Sequence, residues 1–135
     1  MKFFLDVTVL TTHTAAAPLI AEFDIDRGII TEAGVYFPAG CNGLVFAKLY
    51  YQSHQILPRN QESWCHGNDG WWSEEAAFPV IDSPMTIKIE AYATGTIYNH
   101  TITIIVEVSP FAIVAQWDKV IKALEGIGEI IGVET

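Results

Sequence analysis

Thr86-Ile87-Lys88-Ile89-Glu90-Ala91 and Thr101-Ile102-Thr103-Ile104-Ile105-Val106-Glu107-Val108, separated by the punctuation Thr94-Gly95-Thr96, decide the fold. In the first run Ile87, Ile89 and Ala91 alternate with Thr86, Lys88 and Glu90; in the second Ile102, Ile104, Val106 and Val108 alternate with Thr101, Thr103 and Glu107. A period of two places every apolar residue on one face of an extended chain, the pattern of a half-buried strand. The β-branched side chains that dominate both runs pack well on a pleated surface.

Working outward, the same alternation returns at the start, where Phe3, Leu5, Val7 and Val9 share one face and Asp6 and Thr8 the other. Asp6 interrupts the opening apolar run, so residues 3–9 read as a first strand rather than a secretion leader. Leu19 to Ile25 is a second strand, closed by Asp24-Ile25-Asp26-Arg27-Gly28, and Ile29 to Phe37 a third, with a bulge or bend expected at Gly34. Pro38-Ala39-Gly40-Cys41-Asn42-Gly43 is a turn. Leu44 to Tyr51 is apolar on both faces and reads as a central strand, and Gln52-Ser53 turns it into His54–Leu57. Arg59 to Ala77 reads as a loop folded back on the body by Trp64, Trp71 and Trp72. Roughly seven or eight short strands with turns between them point to a mainly β protein, an antiparallel β-sandwich or jelly roll.

After Ser109 the character changes. Ser109 suits an N-cap and Pro110 a first helical residue, and apolar residues then recur at helical spacing until Gly126. Residues 1–109 are thus expected to form a β-sandwich domain, and 110–135 a C-terminal amphipathic α-helix with an apolar tail. Ile113, Trp117, Val120, Leu124, Ile127 and Ile131 follow alternating steps of four and three, a short heptad seam. That seam can pack on its own sandwich or form an assembly interface between subunits.

Composition narrows the function. Of 135 residues, 16 are acidic and 7 basic, a net charge of −9, and the basic residues are scattered. Nucleic acid and anionic membranes both call for clustered Lys and Arg, so neither is an expected partner. Only 17% of residues are charged, against about 25% in typical soluble domains, which suggests surface covered by a partner. His13, His54, His66 and His100 lie on different segments. Cys65-His66 beside Asp69 comes nearest to a metal cluster or a Cys–His nucleophile pair, and the ordinary reading is a polar loop. No catalytic residue, metal or cofactor is expected. Cys41 and Cys65 read as free buried thiols. Trp64, Trp71 and Trp72, with Tyr50 and Tyr51, can line a contact loop that stacks on sugars, or they can seal an end of the sandwich. Asn99-His100-Thr101 fits a glycosylation sequon by coincidence at a strand start.

Phe37-Pro38-Ala39-Gly40, Gly43-Leu44-Val45, Gln55-Ile56-Leu57-Pro58 with Asn60 and Trp64, Asn68-Asp69-Gly70, Glu90-Ala91-Tyr92-Ala93-Thr94-Gly95 and Tyr98-Asn99-His100-Thr101 together resemble a family of small proteins encoded among the virion genes of tailed bacteriophages. The resemblance covers about residues 30 to 108. It implies a β-sandwich structural protein located in the virion, acting in head decoration through contacts with the major capsid protein or another virion protein. It implies a homo-oligomer, a trimer being favoured, and carries no catalytic residue. The family's usual ending is shorter, so the segment after Pro110 departs from it and leaves a tail or spike position open. A carbohydrate- or surface-binding module is the alternative from another class.

Overall fold

The computed structural model describes residues 1–110, all but the first and last of them in or between nine strands. These are β1 (Lys2–Val9), β2 (Leu19–Asp24), β3 (Gly28–Phe37), β4 (Val45–Tyr51), β5 (His54–Leu57), β6 (Cys65–His66), β7 (Gly70–Val80), β8 (Thr86–Ala93) and β9 (His100–Ser109). The expected helix and the seam residues Ile113, Trp117, Val120, Leu124, Ile127 and Ile131 lie outside the described residues.

The pairing is nested: β1 with β9, β2 with β8, β3 with β7 and β4 with β5, all antiparallel. A long hairpin wound in this way gives the observed orders, β1-β9-β3-β7 in one sheet and β2-β8-β4-β5 in the other. This is the jelly-roll form of the sandwich. The two-residue β6 pairs with β4 at Phe46 and Ala47, beside β5, which pairs at Leu49 to Tyr51. The two short strands thus share one side of β4, while β8 runs the full length of its other side.

Nested pairing also sorts the connections. Loops 10–18, 38–44, 58–69 and 94–99 gather at one pole, held by Gly43 N–H to Gly67 O (3.1 Å), Thr94 N–H to Leu44 O (3.0 Å) and Ala93 N–H to His13 O (3.2 Å). The short turns, Met1 and Ser109 lie at the other pole, where Tyr51 Oη donates to Asp82 O at 2.6 Å.

Between the sheets lie the alternating residues read from the sequence: Val7 and Val9, Ile87, Ile89 and Ala91, and Ile102, Ile104, Val106 and Val108, all buried. Ile30, Val35, Phe37, Leu49 and Leu57 complete the centre. The outer face of β4 carries Phe46, Lys48 and Tyr50, half-buried or buried although they point away from the core.

Two expectations are corrected. Residues 70–77 are not loop but most of β7, the eleven-residue strand at the edge of the first sheet. Its inward positions are Trp72, Glu74, Ala76 and Phe78, so a carboxylate and a methyl blunt the apolar alternation in the sequence. The irregularity in β3 falls between Ile30 and Glu32 rather than at Gly34. Gly34 keeps regular register for another reason: a Cβ there would sit 3.0 Å from Ser73 Cβ and 3.3 Å from Ile105 Cγ2. It is small because its neighbours on β7 and β9 lean over it.

Candidate functional site

Strand parity divides the tryptophans. Trp71 and Trp72 are consecutive in β7, so they face opposite ways. Trp71 stands on the outer face of the first sheet, 52% exposed, with its ring 5.3 Å from Tyr36. Trp72 turns inward at the sheet edge and reaches His66 of β6 at 5.5 Å, closing the seam between the sheets. Trp64 lies over the outer face of the second sheet, edge-on to Tyr92 at 4.8 Å, with Lys48 Nζ 4.2 Å above its ring. Trp64 therefore stands apart from Trp71 and Trp72, which face opposite ways on the edge strand and border one cleft.

An aromatic chain nevertheless joins two of them. His66 meets Phe46 at 5.7 Å, and Phe46 stacks on Tyr92 at 4.8 Å, so the path Trp72–His66–Phe46–Tyr92–Trp64 is continuous. Phe46 and Tyr92 face each other because β4 and β8 pair at that register, which no local sequence signal reports. Beside them Lys88 Nζ lies 4.6 Å from the Tyr50 ring and 3.8 Å from Glu90. Burial first, and then the Glu90 carboxylate, push the Tyr50 hydroxyl above its ordinary pKa.

A cleft of about 450 Å³ opens where His66 to Asn68 approach Trp71 to Glu74. Its Glu74 and Asn68 side chains are already engaged within the chain. Glu74 accepts from Arg59 N–H at 2.8 Å through one oxygen and from Trp72 Nε1 at 3.0 Å through the other. Asn68 Oδ1 accepts from Gly40 N–H at 2.9 Å and Asn42 N–H at 3.0 Å. Asp69 accepts from the Tyr36 hydroxyl at 3.0 Å, and that carboxylate is the main reason the hydroxyl's pKa is raised.

Catalytic geometry does not emerge from Cys65 and His66. Cys65 points into the core and His66 out toward Phe46 and Trp72, as neighbours on a strand must. Burial, with a smaller push from the Glu74 carboxylate, raises the Cys65 thiol far above its ordinary pKa, the opposite of what a nucleophile requires. Cys41 is likewise a buried free thiol with its pKa raised by burial. Among the described residues, no group of three or more His, Cys, Asp or Glu side chains is placed to hold a metal ion.

The polar centre that sequence reading missed is Gln55, buried at 8% exposure. Its Nε2 donates to Pro58 O at 2.8 Å and lies 3.2 Å from Asn60 O and 3.3 Å from Ser63 O, while its Oε1 accepts from Glu62 N–H at 3.3 Å. Gln55 folds the 58–64 loop around itself and so places Trp64. Comparison of the chain with protein families, with curated proteins and with solved structures finds no match.

Proposed function

We propose that the chain is a structural protein of a phage particle, a capsid decoration subunit that acts through protein–protein contacts and has no catalytic role. The observation that supports this reading is the loop pole. Stretches that carry the family resemblance and are far apart in sequence converge there: Gly40, Leu44, Gly95, Tyr98 and His100 line one depression of about 310 Å³. Its rim presents Ile97 at 83% and Tyr98 at 74% exposure. Large apolar side chains held this far into water suit a surface that is covered in the working state. Jelly rolls serve viral capsids and lectins alike, so the fold alone does not decide the role.

In this reading the loop pole faces the shell, and the seam residues Ile113, Trp117, Val120, Leu124, Ile127 and Ile131 would join a trimer. Mass-spectrometric analysis of purified particles tests the role: many copies per particle are expected, few would move the chain to the tail or spike, and none would end the proposal. Ile97→Asp with Tyr98→Ser is expected to abolish binding to isolated capsids while leaving the fold intact.

Trp71 supports a second reading, in which its exposed ring and the adjoining cleft hold a sugar. A glycan array without hits, or with hits unchanged by Trp71→Ala, would remove it.

A further inference from the structure

We infer that β1 is a self-pairing edge, on which a second copy of this chain adds its own β1 antiparallel in one register, with Phe4 opposite Phe4. Among the described residues nothing pairs with the outer side of β1, which ends the first sheet. Met1 and Val108 exchange both backbone hydrogen bonds at 2.8 Å and are therefore a hydrogen-bonded pair. In an antiparallel ladder such pairs alternate with pairs that do not bond across. Counting along the register from Met1, it follows that Lys2, Phe4 and Asp6 turn their N–H and C=O groups away from β9, toward the free edge.

The side chains of those same residues select the register. Lys2, Phe4 and Asp6 share the outer face and are exposed. With Phe4 opposite Phe4, Lys2 of each copy faces Asp6 of the other, on hydrogen-bonded pairs throughout. A slip of one pair sets Phe4 against Lys2 or against Asp6, and a slip of two sets Asp6 against Asp6 in one direction and Lys2 against Lys2 in the other. Opposite charges across a pair favour association and like charges oppose it.

On the inner side the same register brings Phe3 opposite Leu5 of the second copy. Both are only half-buried and pack at the margin of the core, beside Ala21 and Phe23 of β2. The added strand would cover this open seam. Among the described residues none covers the stretch used: the 10–18 loop crosses to the other sheet beyond Val9, where Ala93 N–H bonds His13 O.

The other long edge strands, β2 and β7, do not offer this. β2 exposes Ile20, Glu22 and Asp24 on its outer face, so the antiparallel self-pair that keeps these three opposite one another sets Glu22 against Glu22. β7 contains Pro79, which cannot donate to a ladder. Flat edges without proline, bulge or cover are where strand addition occurs.

The inference does not rest on the particle role, and particle analysis does not bear on it. The test uses the full chain carrying Phe4→Cys, treated with a mild oxidant. In the inferred register the two Cα atoms stand about 5.5 Å apart, within disulfide reach, and a covalent dimer is expected. Lys2→Cys is the control, because its two Cα atoms would be offset by four residues, about 14 Å apart at roughly 3.3 Å per residue. Cys41 and Cys65 are buried and do not interfere.

Light scattering supplies the second readout. Asp6→Lys is expected to weaken self-association at least tenfold, and adding Lys2→Asp to it is expected to restore it. A full chain that stays monomeric, or a Phe4→Cys chain that cross-links no faster than Lys2→Cys, overturns the inference. So does a charge-swapped double variant that fails to recover, because its circular dichroism separates misfolding from lost pairing and the cysteine readout stands without it.

Discussion

Replacing Gln55 by leucine removes the centre of the 58–64 loop while keeping roughly the same volume. Nε2 has two hydrogens shared among the carbonyls of Pro58, Asn60 and Ser63 at 2.8, 3.2 and 3.3 Å, and Oε1 takes the Glu62 N–H. The bond to Pro58 O is buried, so that carbonyl bears the full penalty of a lost partner, about 1–3 kcal/mol. The other groups are partly reached by water, and their losses add about 1–2 kcal/mol together. Leucine returns about 1 kcal/mol of apolar burial. The expected net loss is about 1–4 kcal/mol, read as a lower urea midpoint at unchanged slope, with near-ultraviolet dichroism altered as Trp64 leaves its place under Lys48. A loss below about 0.5 kcal/mol would show that the loop is held by something other than Gln55, and the account of the Trp64 surface would fall with it.

Glu32 faces Glu75 on one side and Glu107 on the other across the first sheet; Glu32→Lys is expected to stabilise by about 0.5–1.5 kcal/mol, an effect that shrinks in high salt and is measured in urea. Trp72→Ala opens the seam and leaves Glu74 without its indole donor, with an expected cost of about 2–3 kcal/mol for a half-buried ring; a Tm unchanged within a degree would contradict its sealing role. The Cys65 thiol has a folded pKa raised above its unfolded value by burial. Its contribution is therefore complete below about pH 8.5, the unfolded thiol value, and is lost as pH rises toward the folded one. Stability is expected to fall by up to about 1.4 kcal/mol per pH unit above that point, and urea titrations of Cys65→Ala should show a shallower slope.

Where one face meets water and the other the core, the alternation was readable. β1, β8 and β9 follow from Phe3-Leu5-Val7-Val9, Ile87-Ile89-Ala91 and Ile102-Ile104-Val106-Val108 without any knowledge of partners. β7 was hidden because an edge strand is only half-buried. Its inward side can hold Glu74, bonded to Arg59 and Trp72, and its outward side can hold Trp71, resting on Tyr36. Gly34 misled because glycine signals either a bend or a close approach, and only the register of β7 and β9 shows which. The tryptophan surfaces were misassigned for the same reason. Proximity in sequence groups Trp71 with Trp72, whereas strand parity separates them and register groups Phe46 with Tyr92. Gln55 carries no pattern at all, since its partners are backbone carbonyls three to eight residues on.

The two seams of the sandwich are closed by different means, and this asymmetry bears on how the chain meets other chains. On the side of β5, β6 and β7, polar side chains tie the sheets together: Gln55 organises the loop, and Arg59 bonds the Glu74 carboxylate and the Glu75 carbonyl. Trp72 and His66 cover the gap. These bonds are local, so that side is complete within one chain. On the side of β1 and β2 no such ties span the margin among the described residues; Phe3, Leu5, Ala21 and Phe23 stand half-buried along it, with Phe4 and Ile20 exposed beside them. Half-exposed apolar side chains along an unpaired backbone edge gain from any strand laid against them, because hydrogen bonds and apolar burial are satisfied together. Glu22 and Asp24 penalise a second β2 at that margin, whereas Lys2 and Asp6 attract a second β1. The sandwich is therefore polar in a directional sense: one seam is finished by its own loop, and the other is shaped by charge to accept its own kind.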